Sequence, residues 1–196
     1  GLEVAVSTTG DHLTRTFLSR YGKFIDLISL PLDGSTESIN SKTKKKGHFR
    51  AVMKALALLS RYPGIDVKIC TPVTTLNIRD IKNIAQLVAR WAKRTRNRVF
   101  YNVFQTFPRS MVPRDWDNLL VSDRDFQSLR TSLRRFEGLR INFLSNRTLD
   151  KLYVLIFPDG SLCVPSGKHY DFLGKFLDVD DLETALVSSD FSARKH

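Results

Sequence analysis

The 196-residue sequence has no run of about 18 uncharged apolar residues, so no helix of ordinary membrane-crossing length is expected. Its start, Gly-Leu-Glu-Val, lacks a basic stretch leading into an apolar one, and the chain reads as soluble and cytoplasmic with no signal peptide. Cysteine is scarce. Cys70 and Cys163 are too few and too far apart for a disulfide framework or a Cys-x-x-Cys metal site. The four histidines, His12, His48, His169 and His196, have no histidine or carboxylate at ligand spacing, so no metal is expected to be held by this chain alone. Acidic residues are also short, 20 against 31 basic ones.

The resulting net charge of +11 points to an anionic partner rather than to any fold. Lys42, Lys44, Lys45 and Lys46 form one basic cluster, and Arg90, Lys93, Arg94, Arg96 and Arg98 another. Each is either a solvated loop or part of a polyanion-binding surface. No recognised nucleic-acid-binding motif accompanies them. The length is enough for a sizeable core and fits one domain better than two.

Val4 to Val6 reads as a short strand running into Ser7-Thr8-Thr9-Gly10. Leu13, Phe17, Leu18 and Tyr21 recur at helical spacing, with Gly22 as C-cap. Phe24 to Leu32 is nearly continuously apolar, which suits a parallel strand covered on both faces. A turn and helix start follow at Gly34-Ser35-Thr36-Glu37, then a helix from about Phe49 to Arg61. Gly64 to Val73 is the next strand, and "LNIRDIKNIAQLVARWAKR" is an amphipathic helix with Asn77 placed to cap it. Arg98 to Gln105 is another strand. A helix capped by Ser122 or Asp123 runs to Arg135, and an aliphatic run follows at Leu139 to Leu144. "LYVLIFPDGSLCVP" is a β-hairpin pattern, and a short helix is expected at Val179 to Leu186. Strands alternating with helices imply an α/β fold of right-handed βαβ units with ligands at the carboxyl ends of the strands. Four such units are too few to close an eight-stranded barrel.

The strand ends "VSTTG", "ISLPLDG", "VKICTPVTTLN" and "YNVFQT", in this order and spacing, resemble the later strands of radical S-adenosylmethionine (SAM) enzymes, and within them the viperin-like group. The resemblance extends through "LVSDRDFQSLRTSLRRF", "SNRTLDKLYVLIFPDGSLCVP" and "FLDVDDLETAL", covering nearly the whole chain. It implies a partial (β/α) barrel over residues 1–145 and a C-terminal extension with a hairpin over 146–196 that closes the substrate side. It further implies SAM lying across the strand ends, a [4Fe-4S] cluster that reduces it, and an external reductant for that cluster. The implied substrate is a nucleoside triphosphate, dehydrated by the 5′-deoxyadenosyl radical to a 3′-deoxy-3′,4′-didehydro product that terminates viral polymerases. The family's Cys-x-x-x-Cys-x-x-Cys and Gly-Gly-Glu-Pro motifs are absent. The sequence therefore looks like the C-terminal two thirds of such an enzyme, and alone it is expected to be inactive.

By position in the resemblance, Thr8, Thr9 and Gly10 touch the methionine part of SAM, or else simply start the next helix. Ser29 and Asp33 flank SAM, with Pro31 standing where the family has a serine; Asp33 alternatively caps a helix. Lys44 falls where many radical SAM enzymes place an arginine on the SAM carboxylate, and a lysine there is a monodentate substitute. Gln105 lies near the adenosyl group, or is structural. Lys68 is the implied triphosphate ligand: a charge inside an apolar strand either faces a polar lumen or lies on an exposed face. Cys70 replaces a family asparagine beside the nucleotide. Asn77 and Asn146 complete the implied substrate set. Tyr153 aligns with the tyrosine that donates a proton or hydrogen atom, or is a core residue. Three readings follow: the viperin-like enzyme, a radical SAM enzyme with another substrate, and a polyanion-binding homologue. An exposed edge strand near Val4 makes self-association an expectation as well.

Overall fold

The computed structural model describes residues 2–107, 117–134, 136–145, 151, 153–167, 169–189 and 191. Two compact units divide the chain, residues 1–106 with 118–143, and residues 107–117 with 144–196.

The first unit is a five-stranded sheet in the order β1-β2-β3-β4-β5, formed by β1 (Ala5–Ser7), β2 (Leu27–Pro31), β3 (Asp66–Val73), β4 (Val99–Gln105) and β5 (Arg140–Leu144). β1 to β4 pair in parallel, with Ser7 opposite Ser29, Ser29 opposite Lys68, and Cys70 opposite Asn102. Between them run α1 (Arg15–Tyr21), the short α2 (Glu37–Asn40), α3 (His48–Leu59), α4 (Ile81–Ala92) and α5 (Asp123–Leu133). Parallel strands alternating with helices form the expected partial (β/α) barrel.

Its core lies on one face of the sheet. Ile28 and Leu30 of β2, Val67 and Ile69 of β3, and Tyr101 and Val103 of β4 are buried against Val52, Leu56 and Leu59 of α3 and Ile84 and Val88 of α4. These helix residues recur every three or four positions, so one stripe meets the sheet. β3 alternates strictly between buried and half-buried residues, so its second face is not packed like the first. In β2, Ile28, Ser29 and Leu30 are buried in succession, as expected of a strand covered on both faces, but the strand is shorter than Phe24 to Leu32. Gly22–Phe24 continues α1 as a 3₁₀ turn, Phe24 is 60% exposed, and the ladder begins only at Leu27. Gly22 does occupy the C-cap of α1, but with an ordinary right-handed φ of −57°.

The second unit holds an antiparallel sheet of β6 (Leu155–Ile156), β7 (Ser161–Ser166) and β8 (His169–Lys175), followed by α6 (Leu182–Ser188), capped by Asp181. The expected hairpin is present; the third strand is an addition to it. No helix among the described residues is long and apolar enough to cross a membrane.

Candidate functional site

The turn after β2 gathers several of the candidates. Asp33 is 1% exposed, and its Oδ2 accepts from Thr43 Oγ1 at 2.7 Å and lies 3.3 Å from the Lys44 ammonium. Two residues expected to bind SAM thus pair with each other. The Asp33 N–H donates to Asn40 Oδ1 at 2.9 Å, and Asn40 Nδ2 donates onward to His48 Nδ1 at 3.0 Å. From α4's start, Asp80 accepts from Ser35 N and Ser35 Oγ at 2.7 and 2.8 Å, which fixes the far side of the turn. Asp33 does not cap α2: the Thr36 side chain does, accepting from Ile39 N. Asp33 Oδ1 and His48 Nε2 are buried without a hydrogen-bond partner.

His48 is held neutral. Burial first, and then the nearby Lys44 charge, push its pKa below the ordinary imidazole value. With Nδ1 accepting from Asn40, the proton sits on Nε2. The folded protein then binds fewer protons here than the unfolded chain. This contribution to stability is complete above about pH 6.5 and is lost as pH falls through the depressed folded-state pKa. Thermal unfolding at pH 7 and pH 5 is expected to show a drop in Tm that shrinks in His48→Gln. Equal drops in both proteins would mean that His48 charges without cost.

The second feature is the sheet face opposite the helices. Ser7, Ser29, Lys68, Cys70, Asn102 and Asn142 all lie on it, following the register from β1 to β4 and the Asn142 Nδ2 to Asn102 Oδ1 bond of 2.9 Å. Lys68 is half-buried here and pairs with no carboxylate among the described residues. Ser29 Oγ is 3.2 Å from Cys70 Sγ, and burial pushes the Cys70 thiol pKa up, keeping it protonated.

The other candidates are placed as follows. Thr8 Oγ1 accepts from Gly10 N at 3.2 Å, and Thr9 Oγ1 donates to Asp11 Oδ2 at 2.8 Å. They do not start α1, whose N-cap is Thr14. Gly10 has φ +86°, and a Cβ there would meet Leu30 and Ala55 at 3.3 Å, so core packing already requires glycine. Gln105 ends β4 and donates to Asp123 Oδ1 at 2.6 Å. Asn77 does not cap the 3₁₀ turn it precedes. Its Oδ1 instead accepts from Thr74 N and Thr74 Oγ1, and its Nδ2 donates to the Asp33 and Pro72 carbonyls. All four of its hydrogen-bonding positions are used inside the protein. Asn77 is therefore a builder of the strand ends and has nothing left to offer a substrate. Tyr153 belongs to the second unit and is 37% exposed. Asn146 lies outside the described residues.

His48, Asn40, Thr43 and Asp80 were not among the sequence candidates, nor were Asn102 and Asn142. The last two carried a usable signal, a polar residue alternating with apolar ones in "YNVFQ" and "INFL".

These groups fit SAM in chemical type: a carboxylate such as Asp33, whose unpartnered Oδ1 is buried, suits an ammonium, Lys44 a carboxylate, and the Ser7 and Ser29 hydroxyls a ribose. They do not fit an iron–sulfur cluster. Cys70 and Cys163 are the two cysteines of the sequence, they fall in different units, and no group of three potential metal ligands occurs among the described residues.

No protein-family model matches the sequence. An S-adenosylmethionine-dependent nucleotide dehydratase of Flammeovirga pacifica is 25% identical over 190 residues, which span 91% of this chain and 60% of that protein. Among solved structures, native anSMEcpe with bound AdoMet superposes with a TM-score of 0.68 at 16% identity, over 96% of this chain and 57% of that one. A radical SAM methyltransferase from Sphaerobacter thermophilus gives 0.52 at 17% identity, over 73% of this chain and 40% of that one. The resemblance read in the strand ends is thereby borne out: in fold this chain is like the radical SAM enzymes, and in sequence it is like their viperin-like nucleotide dehydratases.

Proposed function

We propose that this chain forms the SAM- and substrate-binding part of a viperin-like radical SAM enzyme that dehydrates a nucleoside triphosphate to its 3′-deoxy-3′,4′-didehydro form, an antiviral chain terminator. The observation that carries the reading is Lys68, an ammonium with no ion-pair partner among the described residues, on the sheet face that the helices leave uncovered. The dehydratase relative supports it, although this chain spans only 60% of that protein. SAM, when bound, supplies the radical. The residues of this chain bind and orient: Lys68 takes the phosphates, while Asp33, Lys44, Ser29, Thr8 and Gln105 line the SAM side. Tyr153 acts as the hydrogen or proton donor. The cluster ligands come from outside this stretch of sequence, since two cysteines cannot supply three. The enzyme works in the cytoplasm with a reductant, and β1, at the sheet edge, is the surface through which copies would associate.

Titration calorimetry of the chain with SAM and with the four ribonucleoside triphosphates tests this. One triphosphate should bind, and Lys68→Met should weaken it about tenfold to a hundredfold, as expected for one charge-assisted contact, without changing SAM affinity. Equal affinity in both proteins, or production of 5′-deoxyadenosine by the chain alone under reductant, would sink the reading. A different substrate is favoured by one observation. Lys68, the third residue of β3, is the last charged side chain of that strand on this face, and the residues beside and beyond it, Ser29, Cys70, Asn102 and Asn142, are uncharged. If nucleosides or monophosphates bind better than every triphosphate, that second reading takes over.

A further inference from the structure

On the helix side of the sheet, opposite Lys68, a groove of about 420 Å³ runs between α3 and the segment from Gly10 to Arg15. Its floor includes Leu13, Ala55 and Leu58, and Arg15, Arg50 and Lys54 stand around it. All three cations are exposed, and none is paired with a carboxylate among the described residues.

Two physical facts set these cations apart from an ordinary solvated face. Arg50 and Lys54 are four residues apart on α3, a spacing at which like charges destabilise a helix. Arg15 adds a third positive charge from α1, across a concave wall that concentrates their field. The acidic residue of the lining, Asp11, does not offset them. Its carboxylate is already engaged by Thr9 Oγ1 at 2.8 Å and the Lys45 ammonium at 3.0 Å, which hold its pKa below the ordinary range. The groove is within the size range of small-ligand sites and joins an apolar floor to a cationic rim. Guanidinium forks match phosphate oxygens in pairs, and an ammonium adds a point charge.

We propose that this groove is a second binding site, separate from the uncovered sheet face, for a small organic phosphate with at least two negative charges. The phosphates lie on Arg15, Arg50 and Lys54, and the apolar part lies on Leu13, Ala55 and Leu58.

The test uses the whole chain carrying Lys68→Ala, which removes the cation of the uncovered face, and ADP and pyrophosphate as probes in calorimetry at low salt. ADP is expected to bind with one-to-one stoichiometry and more tightly than pyrophosphate. Adding Arg50→Ala and Lys54→Ala should weaken it about a hundredfold, about tenfold for each charge-assisted contact removed. Arg15→Gln, on the other helix, should weaken it about tenfold. The Tm of the Arg50→Ala/Lys54→Ala protein should be unchanged or higher, because the repulsion on α3 is gone, so weaker binding cannot be traced to unfolding. The proposal is overturned if ADP does not bind in the Lys68→Ala background, if the α3 substitutions leave its affinity intact, or if pyrophosphate binds as tightly as ADP. That background weakens nucleotide binding at the uncovered face, and the α3 and α1 substitutions lie outside that face. Failure of this proposal therefore reads as ADP binding that does not depend on Arg15, Arg50 and Lys54, whereas failure of the proposed function reads as triphosphate binding that does not depend on Lys68.

Discussion

Asn77→Ala is expected to cost about 3–5 kcal/mol of stability, measured as a shift in denaturant midpoint at constant m. The reason is the number of strand-end groups served by one buried amide. Asn77 is 2% exposed, and its Nδ2 reaches the Pro72 carbonyl in β3 and the Asp33 carbonyl beyond β2, at 3.0 and 3.1 Å. Its Oδ1 receives Thr74 N at 2.8 Å. Alanine removes these partners together and leaves two carbonyls and an N–H buried without replacement, each costing about 1–3 kcal/mol before relaxation.

Asn77→Asp separates the two halves of that amide. The carboxylate keeps an acceptor for Thr74 but turns an oxygen toward two carbonyl oxygens, so its pKa in the folded state should rise above the ordinary aspartate value. A raised pKa means that the stability returned by protonation is present below the unfolded value and is lost as pH rises through the folded one. Asn77→Asp should therefore gain stability relative to wild type between pH 7 and pH 4. A constant difference over that interval would show that the Nδ2 bonds to Asp33 and Pro72 contribute little.

The main frame was legible in the sequence because it depends on local pattern. β3 and β4 are apolar runs bounded by turn residues, and α3 and α4 carry apolar residues at helical spacing, so their positions follow without knowledge of neighbours. β8 was not legible: "HYDFLGK" mixes charged, aromatic and small residues, and it is a strand because β7 offers it a ladder. The site divides in the same way. Lys68 announced itself as a charge inside an apolar strand, and the same logic extends to Asn102 and Asn142. The Asp33–Asn40–His48 relay did not, because its three residues look like ordinary turn and helix-start residues until α2 and α3 fold back on the end of β2. Asn77 was read as a cap because its type and position fit one, whereas its side chain turns back to the strands. Short-range rules identify what a side chain is able to bond, and the tertiary fold decides which of those bonds it makes.

Gly34→Ala is the second change with a large expected effect, and it acts on the relay by pressing on the backbone of Asn40 without replacing any of its members. A Cβ at position 34 would lie 2.3 Å from Asn40 N, 2.7 Å from the Ile39 carbonyl carbon and 2.8 Å from Asn40 Cα. All three are backbone atoms, so no rotamer change relieves the clash, and α2 must move away by about 1 Å or the turn must open. Either motion stretches the bond from Asp33 N to Asn40 Oδ1 and, through it, the support of His48. The expected loss is about 3 kcal/mol or more, from overpacking and from buried groups left unpaired. Gly64→Ala is the matched control: it meets nothing within 4 Å and should change stability by no more than about 0.5 kcal/mol. SAM titration well below both midpoints then divides the consequences. If the relay only supports the fold, Gly34→Ala will bind SAM as Gly64→Ala does once both are fully folded. If it also sets the position of Asp33 and Lys44 toward SAM, affinity will fall in Gly34→Ala alone, which ties the close packing of α2 against the end of β2 to the binding of the cofactor.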